Sequence, residues 1–396
     1  MHQEGILVHR RRMTNGRMSR FPTRSELEAL ASEEGFDAAG VAPAAPSSRA
    51  EAMRRWVAEG RHADMEWWAR SLPARLNPGA AYPGTKSWLV VGASYVTSEP
   101  PPGLWLDPRR GRIARYAWGP DYHDVLRARA AALAERLRRL AALSVPPPVA
   151  VDTAPVPERE LAERAGLGFI GHNTMLIRPG LGSWVHLAVL ALPWEPHGGD
   201  EDRQAVAGGG CSECRRCMER CPTRALAHGP VLDARRCVAW MTVECRGDWP
   251  GDPAAGSGRW LVGCDECQEC CPWNRPAMVR PSRRPWLRFE PELHTPPLDA
   301  AIFLNPAEFR QRYAGTVVGR IGWRRWIRNA LAAAAHASED PALCAAVRRH
   351  AEGGDEFLRR EAARCFEQWR TAAERQPRAP ANPPTPADGL RRRTRR

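Results

Sequence analysis

The chain has 396 residues, enough for two or three domains that each bury a core, and 43% hydrophobic residues with a mean hydropathy of -0.48 describe a soluble globular protein. No apolar run reaches the length of a membrane span, so helical membrane proteins are excluded and no membrane partner is expected. The net charge of +13 favours a polyanionic partner such as nucleic acid, although Lys86 is the only lysine and an arginine bias of this kind also follows from GC-rich codons.

At the N-terminus HRRRM (His9–Met13) carries the arginines of a twin-arginine signal, but SRFPTRSELEAL follows where an apolar h-region should stand. A cytoplasmic protein is therefore expected, with a basic, disordered segment over residues 1–21 and Met1, Met13 or Met18 as its start. SELEALASEEGF (Ser25–Phe36) reads as a helix capped by Thr23 or Ser25, and Asp37–Ala44 as a short strand. Ser48–Gly60 is a second helix. Ser87–Tyr95 is an unbroken apolar run of strand length, as in a strand covered on both faces. Asp124–Leu143 spaces Leu126, Leu133, Leu137 and Leu140 along one helical face, with arginines on the other. Pro146–Thr153 is a turn and strand, Glu158–Gly168 a helix closed by glycines, and Ser183–Pro193 another buried strand. This alternation predicts an α/β sheet domain over 22–195.

A Gly-rich linker leads to a second domain over 205–276, which holds ten of the twelve cysteines. Reduced thiols in the cytoplasm argue against a disulfide scaffold. After a Pro/Arg-rich connection, residues 298–370 read as short antiparallel helices resembling HEAT-type repeats, and 371–396 as a disordered Pro/Arg tail. Cys344 and Cys365 stand apart, as small buried hydrophobes usually do.

CSECRRCMERCP places Cys211, Cys214, Cys217 and Cys221 at spacings of 2, 2 and 3 before Pro222, a complete ferredoxin half-motif. Three such thiolates wrap one cube and the fourth serves a second; zinc sites instead use two separated pairs. CDECQECCPWN (Cys264–Asn274) is the irregular partner half. Cys271 before Pro272 corresponds to Cys221, Cys267 to Cys217 and Cys264 to Cys214, while Cys237 in LDARRC replaces the missing first ligand. One [4Fe–4S] cluster is then held by Cys211, Cys214, Cys217 and Cys271, and the other by Cys221, Cys237, Cys264 and Cys267. Cys245 and Cys270 are left over; a rival assignment uses Cys270 and frees Cys237. Two clusters joined to an α/β domain form an electron wire that serves a second cofactor or a substrate.

Four stretches give the chain its resemblance to the epoxyqueuosine reductases of tRNA modification: HADMEWWARSLPARLNP (His62–Pro78), YAWGPDYHDVLR (Tyr116–Arg127), VDTAPVPERELAERAGLGFIGHNTMLI (Val151–Ile177), and the cysteine segment with LDARRC and CDECQECCPWN. The resemblance covers roughly residues 23–370. It implies a cobalamin between the α/β and ferredoxin-like domains, Co(I) attack on the epoxide of epoxyqueuosine in a tRNA anticodon loop, an external electron donor and a monomer. By motif match Asp152 is the general acid, its pKa raised by burial against the corrin, and Arg75, Leu176 and Asp265 lie near the cofactor. Asp121-Tyr122-His123 lacks the glycine of D-x-H-x-x-G, so His123 is a pocket or structural residue and not a cobalt ligand. His172 departs from the lysine usual in relatives. Arg320, Arg324, Arg325 and Arg328, around Trp323 and a core Trp326, are the expected phosphate-facing surface. A corrinoid reductive dehalogenase and a plain electron-transfer module are the alternative readings.

Overall fold

The computed structural model describes residues 13–14, 17–18, 20–96, 101–197, 210–226, 230–249, 257–275, 286, 290–337 and 340–375. Much of the two termini expected to be disordered lies outside these residues. Within them, Met13–Thr14 pairs with Arg17–Met18, and the last helix runs past Thr371 to Arg375. TAAER continues the helix-forming composition, and Pro377 is the first residue to oppose it.

The first helix, α1 (Arg24–Glu33), opens on a capping box. Thr23 accepts the Glu26 N–H, and the Glu26 carboxylate accepts the Thr23 N–H. Strands β1 (Ala38–Pro43), β2 (Ser87–Ser94), β3 (Val149–Ala150) and β4 (Val185–Leu192) form one sheet in the order β1-β2-β4-β3. Every pairing is antiparallel. β2 is buried along its whole length, because successive side chains enter two different cores. Leu89 and Val91 pack with Leu126, Leu133 and Leu137 of α2 (Tyr122–Leu140). Trp88 and Val90 pack with Leu161 and Ala162 of α3 (Glu158–Arg164). Burial on both faces is what the apolar runs express; strand direction leaves no such mark on them.

A third, larger core joins the cysteine segment to the terminal helices. Trp260–Val262 pairs in parallel with Arg112–Ile113, so the cysteine segment contributes a strand beside the α/β part. Ile113, Trp118, Leu261 and Val262 then pack beneath α4 (Trp323–Ala334), α5 (Pro341–Ala351) and α6 (Glu356–Arg375). Trp326 is fully buried there, as expected. Cys365 is buried in the same core and Cys344 packs against it.

The expected arginine surface is corrected by this packing at Arg328. Arg328 is 1% exposed and donates to the carbonyls of Met241, Cys245 and Gly247. Arg325 donates to the carbonyls of Ile321 and Val243, while Arg324 and Arg320 stay exposed, paired with Asp355 and Asp121. Helical spacing shows which residues share a helix face, and α4 turns much of its arginine face towards backbone carbonyls. Among the described residues no helix is long and apolar enough to cross a membrane.

Candidate active site

Strand β3 ends at a tight turn in which the Thr153 N–H reaches back 2.5 Å to the Val151 carbonyl. Asp152, the middle residue, sits at φ +48°, a left-handed conformation that Asp tolerates better than most side chains. The turn turns its carboxylate outward, with 59% of the side chain open to solvent. One carboxylate oxygen accepts from Tyr122 Oη and pairs with His123 Nε2, both at 2.8 Å. The other ring nitrogen of His123, Nδ1, is 2.6 Å from Asp121 Oδ1. Asp121 caps α2 by accepting the His123 N–H, and its second oxygen takes Arg320 at 3.0 Å. The result is a chain, Arg320–Asp121–His123–Asp152.

The same hydrogen bonds bear on the acidity of Asp152. Burial pushes its pKa up, but hydrogen bonds from His123 and Tyr122 outweigh that and leave it below the usual carboxylate range. For His123, burial favours the neutral ring, yet the bonds to Asp152 and Asp121 prevail and raise its pKa above the ordinary 6.5. A proton shared by this pair therefore rests on the imidazole in preference to the carboxylate. Tyr122 is stacked between His123 and His186, at 4.0 and 4.2 Å between ring centroids. Complete burial pushes His186 down to about 3, so its ring is a neutral wall.

Beside Asp152, burial raises Glu158 to about 8, and its Oε1 has no hydrogen-bond partner among the described residues. Arg75 is buried against Trp67 and Trp68, donates from Nε to Ser71, and lies within electrostatic reach of Glu158 and Asp152. These polar groups suit a macrocycle rimmed with amides, which can both donate and accept. Leu176 and Asp265 are placed differently. Leu176 is buried in the sheet core, and Asp265 is 1% exposed, accepting from the Arg115 N–H and Gln268 Nε2. Neither side chain is open to a ligand. Glu158 escaped notice in the sequence, where it reads as an ordinary first-turn helix residue.

The thiols fall into two neighbouring sets. Cys217 is within electrostatic reach of Cys211, Cys271 and Cys214, and Cys271 of Cys211 and Cys214. Cys267 is similarly close to Cys237 and Cys221, and Cys264 to Cys267 and Cys237. Cys270 lies by Cys217 and Cys271, whereas Cys245 is buried in another cluster with its sulfur facing the Gly247 carbonyl. Among the described residues no three His, Cys, Asp or Glu side chains converge as round a single ion. Burial raises the thiol pKa values, Cys217 to about 11, so bound metal charge would be needed to ionise them.

The α/β part grips the sulfur sets directly. The His172 N–H points at Cys211 Sγ (3.3 Å), and its Nδ1 is 2.9 Å from the Cys214 carbonyl and 3.2 Å from the Arg215 guanidinium. Asn173 donates to the Cys267 carbonyl. Asn274, of the CPWN run, is fully buried, accepts the Ser183 N–H at 2.6 Å and donates to the Gln268 carbonyl. A Cβ at Gly182 would stand 2.1 Å from its Oδ1, so Gly182 is what admits it. Near the second set, Tyr116 packs with Cys264 on one small core and meets Tyr122 edge-on at 6.1 Å.

Residues 75–153 match the family model described as "Epoxyqueuosine reductase QueG, DUF1730", and residues 210–274 match a 4Fe-4S double cluster binding domain. An epoxyqueuosine reductase of Xanthomonas campestris pv. campestris is 38% identical over 336 residues, covering 82% of this chain and 91% of the relative. One from Synechococcus sp. is 36% identical, covering 78% and 93%. Among solved structures, the epoxyqueuosine reductase of Streptococcus thermophilus superposes with a TM-score of 0.73 at 26% identity, covering 88% of this chain and 90% of that one. Another, crystallised with an epoxyqueuosine-modified tRNA-Tyr stem loop, gives 0.71 at 25% identity, covering 87% and 98%. A third, from Bacillus subtilis, has the loop of its catalytic aspartate swung out of the active site. With identity above one third along nearly the whole length of these relatives, the chain belongs to the epoxyqueuosine reductase family of oxidoreductases.

Proposed function

We propose that the protein reduces epoxyqueuosine to queuosine at the wobble position of tRNA anticodons, the last step of queuosine biosynthesis. The observation that carries this reading is the outward-facing Asp152 carboxylate, backed by His123, in a chain that also holds the two cysteine sets. Removing an epoxide oxygen as water takes two electrons and two protons, and the site provides for both.

Cys211, Cys214, Cys217 and Cys271 hold one [4Fe–4S] cluster, and Cys221, Cys237, Cys264 and Cys267 the other. Their mutual proximity supports the assignment, and the place of Cys270 beside the first set disfavours its use by the second. The same reading gives the molecule a cobalamin/substrate domain over 22–195, a ferredoxin-like one over 205–276 and a HEAT-like one over 298–370. Cobalamin, when bound and reduced, supplies a nucleophile for the epoxide carbon. Arg75 and Glu158 would hold its amide rim, and Asp152 would face it. Leu176 and Asp265 support that face from behind, Asp265 by fixing the backbone at Arg115.

The proton for the opening oxygen passes from His123 Nε2 to Asp152 Oδ2 and then to the substrate. Asp152 alone is too acidic to hold it near neutral pH, and His123 stores it at 2.8 Å. Tyr122 keeps the shared oxygen in place.

The deciding assay is anaerobic: reconstituted protein, cobalamin, a reductant and tRNA carrying epoxyqueuosine, with nucleosides resolved by mass. Queuosine should appear, and no conversion would overturn the reading. Asp152→Asn should keep iron and cobalamin but lose at least about 10²-fold in turnover; wild-type turnover would remove Asp152 from the role.

A further inference from the structure

Beside Cys271 the surface opens into a cavity of about 520 Å³ that touches no part of the acid site. Its floor holds Cys270 and Cys271, and its rim carries Arg216, Arg220 and Arg275. All three arginines are exposed. Arg220 is tied to Glu266 at 2.7 Å, whereas Arg216 and Arg275 form no ion pair among the described residues. Two carboxyls, Glu219 and Glu269, also line the rim. Glu269 is paired with Arg115 at 3.7 Å.

Three features coincide at this cavity. It is lined by Cys271, a thiol of the first sulfur set, and by no thiol of the second. Its rim is cationic, with two arginines uncommitted to the fold. Its mouth is open and lacks the enclosed apolar walls that suit a small ligand. Electron tunnelling falls exponentially with distance, so electrons enter fastest where a cluster ligand reaches the surface.

We propose that this cavity is the docking face for an acidic one-electron carrier protein of the flavodoxin or ferredoxin class. The proposal rests on the two-cluster reading above. A carrier with a carboxylate-rich face is steered to Arg216, Arg220 and Arg275 and passes its electron into the first cluster beside Cys271. The carrier is oxidised by one electron and the cluster reduced by one, so each epoxide reduced requires two docking events. Long-range attraction of this kind raises association rates and weakens with salt.

The test uses the full-length reconstituted holoenzyme and the double variant Arg216→Glu/Arg275→Glu. The donors are reduced flavodoxin and, separately, reduced methyl viologen, a small cation that needs no docking face. With flavodoxin, the KM for the carrier should rise at least about tenfold, and its salt dependence should flatten. With viologen, turnover, the KM for tRNA and the iron content should stay unchanged. An unchanged KM for flavodoxin overturns the proposal. A raised KM for tRNA under viologen also overturns it, assigning the face to RNA phosphates instead. If the wild type turns over with neither donor, the proposed activity fails. Stopped-flow bleaching of the clusters by flavodoxin then still tests docking: the double variant should bleach more slowly, and an equal rate would end the proposal.

Discussion

Asp152 and His123 share one proton between two groups whose environments push their affinities apart, the carboxylate down and the imidazole up. The sign sets the pH dependence. His123 is protonated below its raised pKa, so turnover should fall as pH rises through that value, above 6.5. His123→Gln should abolish that alkaline limb, lower turnover by roughly 10²-fold and leave iron content intact. A limb unchanged in the variant would show that His123 does not hold the catalytic proton. DYH and VDT are both legible in the sequence, but they lie 29 positions apart, and their contact is created by the sheet. An argument from burial alone therefore leaves out the contacts that lower the Asp152 pKa in this structure. The missing quantity was its hydrogen-bond partners.

At the scale of elements, the irregular half-motif is explained by neighbours on several segments. Cys237 arrives on a turn that Arg328 and Asn329 fasten from α4, through the carbonyls of Met241 and Thr242. Cys271 is positioned by the buried Asn274 against Ser183. Cys270→Ser should retain eight irons per chain, whereas Cys271→Ser should lose iron from the first cluster; equal iron content in both would require a different ligand set. Spacing made both halves legible, because a cubane fixes the separations of its thiolates in sequence as well as in space. The apolar runs likewise announced the strands at 87–95 and 183–193. Periodicity could not say which arginines of α4 meet solvent, since a guanidinium satisfied by carbonyls and one satisfied by water occupy the same spacing. It was equally silent on the antiparallel order of the sheet.

For the molecule as a whole, Arg328 is the side chain on which the cysteine segment and the terminal helices meet. Its guanidinium satisfies three backbone carbonyls away from water. Arg328→Met should cost roughly 3 kcal/mol, because those carbonyls lose their charged donor and stay buried. A lower midpoint in denaturant would register it, and an unshifted midpoint would show that water replaces the donor.

The core that joins Ile113, Trp118, Leu261 and Val262 to α4, α5 and α6 also bears on the ancestry of the protein. A ferredoxin is normally a cassette that can be fused, moved or lost as a unit. Here the cassette lends a strand to one neighbour and its apolar face to another. A lineage that discarded the terminal helices would uncover Trp326's neighbours and the strand at 260–262 together, so the parts are held to a common fate and can vary in sequence more readily than in number.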